Sequence, residues 1–211
     1  MTSGDITPYM QVMNFIETTT PLFNLAATMI VAFTAWRGIT LWRQETLGKK
    51  KIELAEELLL TFKKVEKAIG VVRFPASYIS LDDLEKPYAQ NVINHYKKNF
   101  EENGELFAKV EALRYRATLY WPDTEEAFKK IDKVFWNINH SLRQLINIYW
   151  VKNGSYSESN MDEETRTKHE GKRQEHEHVI WSQDNENDKI AALMSEAVKN
   201  VEVVCMPIIR E

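Results

Sequence analysis

The sequence predicts an all-α protein: an N-terminal transmembrane helix followed by an antiparallel up-down bundle of about four helices. Three observations predict it. One stretch, Pro21 to Trp42, is apolar enough to cross a membrane. Apolar residues three and four apart recur through most of the chain after it, the period of an amphipathic helix. Glycine and proline are scarce, at seven and six among 211 residues, too few for a strand-and-turn architecture.

The membrane segment rests on length, charge and flanking aromatics. Leu22 to Trp36 is an uncharged, mostly apolar run, which as a helix covers roughly 22 Å. A bilayer core is about 30 Å thick. Extension to Trp42 reaches roughly 31 Å and takes in Arg37, whose long stem can carry its head to the interface. Trp36 and Trp42 stand where an interfacial aromatic belt would. Thr20 and Pro21 suit an N-cap and a first helical residue. Residues 1–20 hold no Lys or Arg, whereas Arg37, Arg43, Lys49, Lys50 and Lys51 follow, against Glu45 alone. Cytoplasmic flanks carry the excess of basic residues, so the expected orientation is N-terminus outside and C-terminal domain inside, at a cell inner membrane. The missing basic N-terminal region argues against a cleaved signal peptide. The alternative is a soluble protein in which residues 22–36 form a core helix. The expected division is a short polar tail at 1–20, the transmembrane helix at 21–43, and a cytosolic bundle at 44–211 with a polar loop at 153–178.

Four helices are expected in the bundle, over residues 44–73, 88–119, 124–151 and 188–206. The first carries Leu54, Leu58, Val65, Ile69 and Val72 at helical spacing and stops before Phe74-Pro75. The second carries Ile93, Tyr96, Phe100, Phe107, Val110 and Ala117, with Gly104 as a kink point. The third has the cleanest stripe, Phe128, Ile131, Phe135, Ile138, Leu142, Leu145 and Tyr149. Asp123 and Glu126 stand in capping-box spacing at its start, and Asn153-Gly154 suits its end. The fourth carries Ile190, Met194, Ala197, Val201, Val204 and Ile208 and is expected to close at Pro207. Short connectors favour antiparallel neighbours. Residues 153–178 hold seven acids, four basic residues and three His with almost no apolar side chain, which predicts a solvated loop whose second half begins a polar helix.

Composition narrows the function classes. The net charge of −4 is unlike the basic face of a nucleic-acid binder, so no nucleic-acid partner is expected. The lone Cys205 forms no internal disulfide and fits a reducing compartment. No Gly-rich phosphate loop, no GxSxG and no HExxH occurs, so neither enzymatic activity nor a cofactor is expected. His169, His176 and His178 lie among Glu170, Glu175 and Glu177, but His176 and His178 point apart by roughly 200° on a helix, so no metal site is expected. His95 and His140 read as flank or core residues with hydrogen-bond partners. Cys205 reads as packing.

The candidate site is therefore the membrane interface: Trp36, Arg37, Trp42, Arg43, Lys49, Lys50 and Lys51. Its partner is membrane lipid, with anionic headgroups contributing about 1 kcal/mol per nearby cation. The expected role is an interaction or accessory module on the cytoplasmic face, with a protein partner or a second copy. A ligand-sensing bundle, with a pocket built from His95, His140, Tyr115 or Arg114, is the alternative.

Overall fold

The computed structural model describes residues 6–74, 88–150, 162–183 and 187–210. The expected connector at 75–87, the Asn153-Gly154 stop and the first part of the polar loop lie outside them. The described residues form six α-helices and no strand: α1 (Ile6–Val72), α2 (Tyr88–Glu102), α3 (Gly104–Tyr120), α4 (Glu125–Gln144), α5 (Glu163–Ile180) and α6 (Lys189–Ile209). The all-α class is as the sequence predicts. The chain divides into two units, Met1–Lys50 and Lys51–Glu211.

In the first unit the backbone is helical from Ile6, and Pro21 lies inside the helix rather than at its start. A proline withholds a single amide, and good helix formers beyond it carry the helix on. The helix start expected at Thr20-Pro21 is not present in the backbone, which is helical from Ile6 through Pro21. Gly48 is likewise helical. Every described side chain from Phe23 to Glu45 is exposed, including Phe23, Met29, Phe33 and Trp36.

The second unit is an antiparallel bundle of four rods, two of them broken. Contacts set the directions. The α1 segment from Lys51 runs against α6, since Lys63 pairs with Glu202 and Arg73 with Asp188. It runs against α2–α3 as well, with Val72 beside His95 and Glu57 beside Lys109 and Arg116. The α2–α3 rod runs against α4, with Tyr88 at Trp150, Phe107 at Phe135 and Arg114 at Glu125. Helices α5 and α6 both run against α4 and follow one another along it: His176 meets Ser141, and Lys130 meets Glu196. Up-down order is thus kept, with α2–α3 and α5–α6 as two-piece rods.

The predicted stripes of α4 and α6 face the core. Phe128, Ile131, Ile138 and Leu145 are buried, as are Ile190, Met194, Ala197, Val201 and Cys205. Leu54, Leu58, Phe62, Val65, Ile69 and Val72 of α1 lie against them, and the Phe62 and Phe128 rings meet edge to face at 5.1 Å.

Several boundaries differ from expectation. The 88–119 helix is broken at Asn103, one residue before Gly104, and resumes in the same direction. Asn103 donates to Asn99 O and accepts from Phe107 N, which bridges the break. Within α2 the buried face is Val92, His95 and Tyr96 rather than Ile93. Asp123 does not cap α4. Instead a 3-10 turn, Pro122–Thr124, precedes the helix, and Thr124 Oγ1 donates to Trp121 O. A π-turn, Leu145–Tyr149, extends α4. Helix α6 continues through Pro207 to Ile209, because the loss of one amide in the last turn is tolerated.

The polar helix expected in the second half of 153–178 is present as α5, and it starts as early as Glu163. Asp162 accepts from Thr165 N at 2.7 Å as N-cap, and Lys168–Glu164, Arg173–Glu170 and Arg173–Glu177 pairs tie successive turns. Such pairs add only about 0.2–0.5 kcal/mol each, so packing of its end must contribute the rest.

That end is held by Arg73, a charged side chain only 2% exposed. Its guanidinium donates to His178 O, Val179 O and Trp181 O at 3.2, 2.9 and 3.0 Å. Tyr96 Oη donates to Ile180 O, and Arg73 O accepts from Ser182 N at 2.7 Å. Asp188 lies 3.0 Å from the guanidinium and caps α6, accepting from Ile190 N and Ala191 N at 3.0 Å. Burial pushes the Asp188 carboxyl up, but the Ala191 amide, the Arg73 guanidinium and the Gln183 amide outweigh it, and its pKa lies below the ordinary 3.8.

Removing one partner of a buried pair costs about 3–5 kcal/mol. Asp188→Ala is therefore expected to lower the stability of the purified protein by about that much in urea unfolding, and a loss below about 1 kcal/mol would contradict the assignment. Since the folded carboxyl is depressed, its contribution is complete above pH 3.8 and is lost as pH falls through the lower folded value. Asp188→Asn should flatten that acid limb.

Candidate functional site

The interfacial residues predicted from sequence are all exposed along α1: Trp36, Arg37, Trp42 and Arg43 among the apolar turns, then Lys49, Lys50 and Lys51. Trp36 and Trp42 expose 68% and 65% of their surface. The Lys49 ammonium pairs with Glu45 at 2.7 Å, one helical turn away. This contact holds the Glu45 carboxyl below its usual value and the Lys49 amine above its own. In the second unit, Lys51 Nζ stands 5.8 Å from the centre of the Tyr120 ring.

The structure adds a feature that spacing does not reveal. The threonines between Phe23 and Trp42 direct their hydroxyls back to the helix. Thr28 donates to Asn24 O at 2.8 Å, Thr34 to Ile30 O at 2.9 Å and Thr40 to Trp36 O at 2.9 Å. A hydroxyl moved from water to an apolar medium without a partner costs several kcal/mol. Back-bonding removes most of that penalty. The exposed Thr167 of the polar α5 makes the same bond to Glu163 O at 2.9 Å, so the arrangement satisfies the hydroxyls in either surrounding.

The polar residues of α4 and α5 form the second candidate. A cleft of about 720 Å³ is lined by Asn137, His140, Ser141, Glu175, His176 and residues at the start of α6. His140 and His176 come within 5.9 Å, and Trp136 stacks flat on His140 at 4.9 Å. His176 Nδ1 lies 3.1 Å from Ser141 Oγ. Ser141 is largely buried at the cleft wall, and its hydroxyl partners the His176 imidazole. Tyr149, turned inward by the π-turn, packs against His169 and His176. Desolvation lowers the His176 pKa below 6.5, the nearby His140 lowers it further, Glu175 opposes both, and Lys172 adds a smaller lowering.

The other residues weighed for a pocket do not converge. His95 is buried with Nε2 2.8 Å from Val72 O, a core histidine with a partner as expected. Tyr115 is 75% exposed. Arg114 is tied to Glu125 and to Asp132 and carries a raised pKa, chiefly from the Glu125 hydrogen bond. Cys205 is buried in α6, and desolvation pushes its thiol to about 11. His178 lies on the turn that Arg73 caps. No group of three or more His, Cys, Asp or Glu is set to hold a metal ion among the described residues.

No protein-family model, curated protein or solved structure matches the chain.

The depressed His176 pKa gives a signed pH dependence. The unfolded chain binds the proton near 6.5 and the folded one below it, so stability is complete above that value and falls as pH drops from it. His176→Asn is expected to flatten the stability profile between pH 7.5 and 5.5, read as the urea midpoint at each pH. An unchanged slope in the variant would show that His176 does not titrate in that window.

Proposed function

We propose that the chain is a single-pass membrane protein whose α1 anchors a helical bundle at the cytoplasmic face of a cell inner membrane. There the bundle acts as an interaction or accessory module, without catalysis. The observation that carries this reading is the exposed apolar stretch Phe23–Trp42. By length and composition this is the one helix among the described residues fit to cross a membrane. Asymmetry supports the orientation: residues 1–22 hold no Lys or Arg, Arg37 lies near the end of the run, and four more follow it by residue 51. The positive residues belong on the cytoplasmic side.

The competing reading is a soluble protein whose residues 22–36 are buried, for which the chain would need other copies to cover Phe23, Met29 and Phe33. A ligand-sensing bundle is a further reading, favoured by the cleft at His140 and His176. A ligand bound there would change the pH profile of stability, since it would alter the surroundings of His176.

Alkaline carbonate extraction of membranes separates anchored from soluble protein. The full chain is expected to stay in the pellet, and introducing two Lys, Ala26→Lys and Val31→Lys, should release it. Protease added outside right-side-out vesicles should remove an N-terminal tag and leave the bundle intact. Recovery of the unaltered protein in the soluble fraction would overturn the reading.

A further inference from the structure

Helix α5 is fastened to α4 by imidazole rings. From Glu163 to His178 it carries no aliphatic residue and no Phe, Tyr or Trp. Its ring contacts to α4 and the π-turn come from His169 and His176, and they run in one row. Trp136 lies flat on His140 at 4.9 Å, and His140 meets His176 at 5.9 Å. His176 meets Tyr149 at 5.7 Å, and Tyr149 meets His169 at 4.6 Å. Imidazole changes its charge between about pH 5 and 8. Across that window the His140–His176 contact turns from ring packing into a pair of like charges.

The groups around His176 decide the direction. From α4, His140 faces it, and Arg143 lies beside His140. On α5, Lys172 opposes an imidazolium and Glu175 favours it. Lys189 at the start of α6 and His178 line the same cleft, where Glu175 is the one acid among the described residues. Glu175 is exposed, so water screens its attraction. Glu170 and Glu177 are held by Arg173, and Glu177 also accepts from Trp150 Nε1 at 3.3 Å. The Ser141 hydroxyl can donate or accept and so serves the ring in either charge state. Burial and the His140 ring therefore prevail, and the folded His176 pKa lies below 6.5. Protonation then favours an arrangement that returns the ring to water. His169 adjoins Glu170, which attracts a charged ring, so the acid response belongs to His140 and His176.

The far end of α5 is fastened differently. Arg73 holds the carbonyls of His178, Val179 and Trp181, and a guanidinium keeps its charge at any of these pH values.

We propose that the His140–His176 pair is an acid-sensitive latch: when both rings are protonated, the turns of α5 from Glu163 to His176 leave α4 while Arg73 keeps the last turn in place. The latch lies wholly within the bundle and does not depend on the membrane anchor.

Hydrogen exchange of the purified full chain at pH 7.5 and 5.5 tests this, each rate being divided by the chemical rate of an unfolded amide at the same pH. Protection of the amides of residues 167–176 is expected to fall at least about threefold at pH 5.5. Protection in α6, and in α1 from Leu54 to Val72, should stay within about twofold. His140→Asn should remove most of the difference between the two pH values, whatever it does at pH 7.5, and His176→Gln should do the same. Equal protection of α5 at both pH values would overturn the latch. So would an undiminished acid response in His140→Asn, or a parallel loss in α6, which would mean that the whole bundle unfolds. Complete exchange of α5 at pH 7.5 would show that nothing is latched there and would overturn it as well.

Discussion

The bundle depends on one buried cation. Where α5 ends, the carbonyls of His178, Val179, Ile180 and Trp181 would point into protein without partners. Arg73 takes three of them, and Tyr96 takes the fourth. The same guanidinium meets Asp188, the residue that starts α6. A positive charge at a helix C-terminus and a negative one at the next N-terminus both oppose unfavourable helix dipoles. Five donors on a planar fork suit this task, and a lysine could not replace them. The end of α1, the end of α5 and the beginning of α6 therefore meet at one side chain.

Much of this was legible in the chain, and what escaped did so for physical reasons. The stripes of α4 and α6 read correctly because each buries a continuous apolar face, from Phe128 to Leu145 and from Ile190 to Cys205. The full extent of helix α5 escaped because Ile180 is its only buried residue. Periodicity reports burial, and α5 is instead built from an Asp162 cap and charge pairs between turns. Arg73 escaped because a lone arginine after a helix resembles any solvated one until the chain closes around it. His95, by contrast, was readable as a core histidine, yet its partner was not, since Val72 O is a backbone atom far away in sequence.

The same division holds for the candidate sites. The expected interface of Trp36, Arg37, Trp42, Arg43 and Lys49 to Lys51 rests on charge asymmetry, a property of the linear chain, and the structure adds that these side chains are exposed. The back-bonded hydroxyls of Thr28, Thr34 and Thr40 needed side-chain rotamers. The meeting of His140 and His176 needed the antiparallel placement of α5 on α4. Asp123 shows the opposite error: its spacing to Glu126 fitted a cap, but the 3-10 turn at Pro122 moved the helix start past it.

Two helices laid end to end along α4 also mean that cohesion is unevenly distributed. Alongside α6 the core holds Leu54, Leu58, Phe62, Phe128, Ile131 and Val201. Alongside α5 it holds little beyond Ile180, and the contacts there are largely histidines, tyrosine and charge pairs. Local opening begins where few apolar contacts are lost. The exposed turns of α5 are therefore where opening is expected to start, while the Arg73–Asp188 junction holds its C-terminal end.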